Sequence, residues 1–160
     1  LTKPAIIGLS GPHLTADEAT LLRTHAPAGV ILFARNIQDP AQIVALTSAV
    51  RDVLPQGGLL MVDQEGGRVA RLRPPHWQAH PPARTIGDLY RRDAEAGLRA
   101  AWITGALIGA QCREAGFTLV AAPDLDVASP GGHDVIGDRA FSSDPHAVAS
   151  LGGAAARGLL

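Results

Sequence analysis

"GVILFARNIQDPAQIVALTSAVRDVL" (Gly29–Leu54) decides the fold, because a short apolar run passes directly into a long amphipathic one. Gly29 to Phe33 carries no charge and is rich in β-branched and large apolar residues, which reads as a buried strand. Asp39 and Pro40 then open a helix. The acid serves as N-cap, and the proline takes the first helical position, where its missing N–H is not needed. Ile43, Leu46, Val50 and Val53 follow at spacings of three, four and three and so share one face.

The same strand-then-helix unit recurs along the chain. Ala5–Leu9 (AIIGL), Gly58–Val62 (GLLMV) and Phe117–Pro123 (FTLVAAP) read as the other strands. Thr15 and Glu18 form a T-x-x-E capping box for the helix after the first of them. Asp93 to about Ala115 reads as a long Ala-rich helix stopped by Gly116, and Asp144-Pro145 repeats the helix opening of Asp39-Pro40. Two long loops interrupt the rhythm. Gln64 to about Arg84 contains Gly66, Gly67, Pro74, Pro75, Pro81 and Pro82, a density that helix and strand interiors both reject. The second loop follows the fourth strand and runs to Asp144.

Four uncharged strands, each followed by a helix, are expected to lie buried on both faces of a parallel α/β sheet. The sheet is either open and doubly wound or part of a (β/α)8 barrel. Against a dinucleotide-binding sheet, the first strand turn, "GLSGPHLT", is no G-x-G-x-x-G, and no phosphate-binding G-x-x-x-x-G-K-[ST] occurs. Against a whole barrel, eight repeats typically need about 250 residues.

Composition narrows the function classes. With 46 % hydrophobic and 18 % charged residues the chain is globular, and 160 residues suffice for one domain with a core. A formal net charge of −1 and the absence of a Lys/Arg block give no reason to expect a nucleic acid or an anionic membrane as partner. No apolar run approaches the roughly 18 residues of a membrane span, and "LTKPAIIGLS" has the wrong flanks for a signal peptide, so a soluble cytoplasmic protein is expected. The single Cys112 excludes an internal disulfide and reads as a buried inert thiol. His76 and His80 lie four apart in the Pro-rich loop rather than on a helix face, so they read as loop histidines. No metal and no cofactor is expected, and the nucleophile elbow G-x-S-x-G is absent.

In both architectures ligands bind beyond the carboxyl ends of the strands. The polar residues there are Arg35 and Asn36 after the second strand, Asp63, Gln64 and Glu65 after the third, and Asp124 and Asp126 after the fourth. The long loops add Arg68, Arg71 and Arg139. Carboxylates accept from hydroxyls and arginines donate from a rigid fork, so together they suit a polyhydroxylated ligand. The plainer alternative is that each acid pairs with a neighbouring arginine as rim electrostatics. Gly66 and Gly67 permit a close turn that would aim Asp63 inward.

"GVILFARNIQDPAQI", "VDQEGGRVARL", "APDLDV" and "IGDRAFSSDP" resemble, in order and spacing, the N-terminal half of family 3 glycoside hydrolases, most closely the bacterial β-N-acetylhexosaminidases. The resemblance implies a (β/α)8 TIM-type barrel of which residues 1–160 hold about the first four βα units of a single domain. It implies hydrolysis of terminal β-linked N-acetylglucosamine, notably from peptidoglycan fragments, by a retaining mechanism in the full-length protein. It assigns substrate binding to Asp63, Arg71 and Arg139. The chain departs from the family at Ala140, often Ser, and at Asp124, often an apolar residue such as Val. The family's K-H-F-P-G-H-G motif, its acid/base Asp-His pair and its Asp nucleophile have no counterpart in the 160 residues. The fragment is therefore expected to have no catalytic residues and no activity of its own. With its outer strands unpaired, it is also expected to be poorly soluble or oligomeric. A family 3 β-glucosidase-like enzyme and a non-catalytic sugar-binding half-barrel are the alternatives.

Overall fold

A computed structural model describes residues 2–160. Two compact units make up the chain. One comprises the residues up to Asp63 with Cys112–Val120, the other Gln64–Gln111 with Ala121–Leu160.

The first unit holds the sheet. Its strands are β1 (Lys3–Gly8), β2 (Pro27–Leu32), β3 (Leu59–Val62) and β4 (Leu119–Val120), paired in parallel in the order β1-β2-β3-β4. Strand order follows chain order without reversal. A doubly wound dinucleotide fold would show a switch point, and a barrel does not. Helices α1 (Ala16–His25) and α2 (Pro40–Arg51) belong to this unit. Ile43, Leu46, Val50 and Val53 are buried as their spacing requires, and Asp39 caps α2 by accepting from Gln42 N at 2.9 Å.

Burial on both faces holds best for β2. β1 is exposed along most of its length, because it is an edge strand and starts with Lys3 and Pro4; β3 buries only alternate residues. β4 is also shorter than the expected Phe117–Pro123. The Phe117 N–H is taken by the Cys112 carbonyl as the preceding helix ends, and Thr118 reaches the sheet partly through its side chain, whose Oγ1 accepts from Leu60 N at 2.9 Å. Gly116, at φ +88°, makes that exit, and a Cβ there would stand 2.3 Å from Thr47 Oγ1. Cys112 is buried, which pushes its thiol up to about 12 and leaves it inert.

The capping box of α1 is present in full. Glu18 Oε2 accepts from Thr15 N at 2.9 Å, while Oε1 accepts from Ser10 N and Oγ at 2.8 Å each. Burial alone would push this carboxyl up, but the Ser10 and Thr15 donors outweigh it and bring the pKa down to about 2. Its contribution to stability is therefore complete above the ordinary glutamate pKa and disappears as the pH falls through about 2. Glu18→Gln should cost about 1 kcal/mol at pH 7 and almost nothing near pH 2. Urea unfolding of both proteins at the two pH values checks this; an equal cost at both would show that the charge is irrelevant.

The second unit holds α3 (Ala83–Arg92), most of α4 (Ala94–Glu114), α5 (Pro145–Leu159) and a 3-10 turn at Gly137–Arg139. α3 is a departure from the sequence reading, which assigned no helix between Arg84 and Asp93. Pro82 caps it without a side-chain hydrogen bond and Gly87 interrupts it, so neither usual signal marks it. The unit's core joins Ile86, Ala101, Phe141, Val148, Leu151, Ala154 and Ala155. α4 and α5 approach backbone to backbone: a Cβ on Gly105 would lie 2.1 Å from the Ala155 carbonyl oxygen. Among the described residues no helix is long and apolar enough to cross a membrane.

Candidate active site

The "DQEGGR" segment begins where β3 ends. Asp63 is the first residue beyond the strand, half-buried, and closes the first unit. Gln64 opens the second unit and is fully buried. Its amide acts as a short piece of strand: Oε1 accepts from the N–H groups of Arg71 and Leu72 at 2.7 and 3.0 Å, and Nε2 donates to the Leu72 carbonyl at 2.9 Å. The loop therefore folds back on itself around one side chain.

The two glycines are required on backbone grounds. Gly66 and Gly67 have φ of +94° and +55°, and their missing Cβ atoms would stand 2.6 Å from the Pro81 carbonyl oxygen and 2.7 Å from Pro82 Cβ. Gly67 N also donates to the His80 carbonyl. His80 is buried against Gln111, with 2.8 Å between Nε2 and Oε1, whereas His76 is exposed beside Trp77. Among the described residues no group of three His, Cys, Asp or Glu is placed to hold a metal ion.

Within the second unit, charge-reversed ion pairs join the first long loop to the second. Arg68 Nε donates to Asp138 Oδ1 at 2.8 Å, and Arg68 Nη2 gathers the carbonyls of Asp134, Val135 and Ile136 at 2.6–3.1 Å. In the other direction Glu65 receives Arg139 in a two-pronged contact, from Nε to Oε2 and from Nη2 to Oε1, both 2.8 Å. Asp124 Oδ2 stands 3.0 Å from the same Nη2 as an ion contact without the alignment of a hydrogen bond. Asp124 Oδ1 accepts from Asp126 N at 2.8 Å, which fixes the turn at the start of the loop. Hydrogen bonding to Glu65 raises the Arg139 pKa above its ordinary value; burial opposes this, while Glu65, Asp124 and Asp126 add through their charges. A cavity of about 30 Å³, room for about one water molecule, lies against Glu65, Asp124 and Arg139 and is walled by Ile86, Ala101, Ile108, Phe141 and Ala155.

The structure thus joins Arg139 to Glu65 and Asp124. Arg71 stands in the turn that Gln64 holds and is half-buried. Arg35 and Asn36 have turned to the loop after β1. Asn36 is fully buried, donating to the Leu9 and Gly11 carbonyls and accepting from Phe33 N, while Arg35 Nε donates to the Leu9 carbonyl and its guanidinium lies over the Phe33 ring. Their placement after a strand marked them as candidates; their contacts make them supports of the β1 loop. The sequence did not assign roles to Glu65 and Asp124. The mirrored order of charges, Glu65 and Arg68 against Asp138 and Arg139, was the signal that could have paired the loops.

Known proteins share the sequence pattern and the fold of this chain. Residues 5–160 match the family described as the glycosyl hydrolase family 3 N terminal domain. A "Beta-hexosaminidase" of Xylella fastidiosa strain M23 is 45% identical over 154 residues, covering 96% of this chain and 45% of the relative. The solved structure of NagZ from Neisseria gonorrhoeae in complex with N-trifluoroacetyl-D-glucosamine superposes with a TM-score of 0.92 at 32% identity, over 98% of this chain and 46% of that one. A family 3 β-N-acetylglucosaminidase from Paenibacillus sp. str. FPU-7 gives a TM-score of 0.84 at 30% identity, over 96% and 29% of the two chains. The α/β fold is that of the N-terminal part of the NagZ domain, and the chain spans a little under half the length of the curated relatives it matches.

Proposed function

We propose, from the premise that this chain belongs to glycosyl hydrolase family 3, that residues 1–160 form the first part of a single (β/α)8 barrel domain and position the sugar for a β-N-acetylhexosaminidase. The observation that carries the reading is the cross-linking of the Glu65–Arg68 loop to the Asp138–Arg139 turn. It builds a rigid, charged rim from the segments that resemble the family's sugar-binding motifs. The similarity to a NagZ structure holding an N-acylated glucosamine supports the same ligand class. The substrate is a terminal non-reducing β-linked N-acetylglucosamine, as in peptidoglycan fragments, and the compartment is the cytoplasm.

In this reading Asp63 accepts hydrogen bonds from sugar hydroxyls, while Arg71 and Arg139 donate to sugar oxygens. The reaction proceeds with retention, through a covalent glycosyl-enzyme that water then hydrolyses. The nucleophile and the acid/base come from barrel residues other than these 160, so the 160 residues alone do not cleave the glycoside.

The test is hydrolysis by the complete protein of chromogenic β-N-acetylglucosaminide against β-glucoside. At least tenfold preference for the first is expected, and the reverse preference would replace the proposal with a β-glucosidase. Asp63→Ala should raise KM and lower kcat together, reducing kcat/KM on the order of a hundredfold through lost positioning. A slow fluorinated substrate that became covalently trapped on Asp63 would show that it is the nucleophile instead.

A further inference from the structure

We propose that Glu65 and Asp124 are positioning residues that act through Arg139, fixing the plane and the reach of its guanidinium for the sugar. The inference rests on the β-N-acetylhexosaminidase reading and adds two residues to it. Glu65 occupies the whole side-on edge of Arg139, taking Nε–H and one Nη2–H at 2.8 Å each. Nη1 already holds the Val135 carbonyl at 3.2 Å. Only the outer hydrogens of Nη1 and Nη2 are left to meet a ligand oxygen.

Asp124 sits at that end of the fork. Its side chain is 5% exposed, and its Oδ2 lies 3.0 Å from Nη2. Because Oδ1 is tied to Asp126 N, the carboxylate cannot follow the arginine if the guanidinium swings. Two carboxylates on one guanidinium leave one negative charge in excess, and the Glu65 and Asp124 side chains are 13% and 5% exposed. That excess does not favour folding. It is explained if Asp124, fixed beside Nη2, keeps the guanidinium from swinging so that its remaining outer hydrogens meet the neutral sugar.

The two roles predict opposite outcomes. Asp124→Asn in the complete protein should leave the thermal unfolding midpoint unchanged or raise it. At the same time it should raise KM for chromogenic N-acetylglucosaminide about five- to tenfold, with a smaller change in kcat, through lost positioning. In an Arg139→Gln background, or in Arg139→Lys if the glutamine variant does not fold, the same substitution should change kcat/KM by less than about twofold, because its intermediary is gone. Glu65→Gln should behave alike. An active protein in which Asp124→Asn leaves KM unaltered would overturn the inference, as would an Asp124→Asn effect that persists undiminished without Arg139. A complete wild-type protein inactive on N-acetylglucosaminide would overturn the functional reading itself, and this inference with it.

Discussion

Gly87→Ala should destabilise the protein by about 3 kcal/mol. In the interior of an ordinary helix the same change stabilises by up to about 1 kcal/mol, because alanine loses less backbone entropy than glycine. Here the sign reverses. A Cβ built on Gly87 in the middle of α3 would stand 1.8 Å from the carbonyl oxygen of Phe141, a backbone atom that cannot move aside without shifting the segment that leads into α5. Gly153 provides the control, since within α5 its Cβ would meet nothing nearer than Arg157 Nη1, at 3.4 Å on a long side chain. Gly153→Ala should therefore be neutral or stabilising. The midpoints of thermal unfolding, with about 2–4 °C expected per kcal/mol in a chain of this size, should separate the two variants clearly. Equal midpoints would show that α3 and Phe141 are not in contact.

Arg139→Ala should have the largest effect on activity. Its removal leaves Glu65 and Asp124, with side chains 13% and 5% exposed, without the cation that neutralises them. Losing one partner of a buried pair costs about 3–5 kcal/mol, because the remaining charge is neither solvated nor compensated. The sugar contact assigned to Arg139 is lost in the same step, so kcat/KM in the complete protein should fall on the order of a hundred- to a thousandfold. Arg139→Lys separates charge from shape. Lysine restores one positive charge but not the fork that meets both Glu65 oxygens, so it should recover stability more fully than activity. Steady-state kinetics and urea unfolding of both variants test this. A lysine variant with wild-type kcat/KM would mean that the geometry of the fork is irrelevant to binding.

Most of the fold was legible because its signals are local. The strand-helix alternation, the Thr15–Glu18 box and the Asp39-Pro40 and Asp144-Pro145 openings depend on residues within a few positions of one another, and each stands where the sequence placed it. The misjudged elements are those shaped by distant residues. α3 has a glycine at its centre that only the Phe141 carbonyl explains, and β4 is short because its first N–H is held by the end of a helix. The candidate site divides in the same way. Asp63, Arg71 and Arg139 could be selected by motif, whereas the contacts that tie Arg35 and Asn36 to the loop after β1 carry no sequence signal.

The sequence by itself determined the α/β class, the parallel pairing expected of apolar strands alternating with helices, and the segments that form the candidate site, since periodicity and motif spacing are properties of the chain. Only the tertiary structure decided that strand order follows chain order, and that Glu65, seventy-four positions from Arg139, holds its fork while Asp124 stands against its Nη2. An ion pair between distant loops carries no periodicity and no spacing rule. Which acid meets which arginine depends on where the backbone brings them, and here the left-handed turn at Gly66–Gly67 and the turn at Gly137–Arg139 do so.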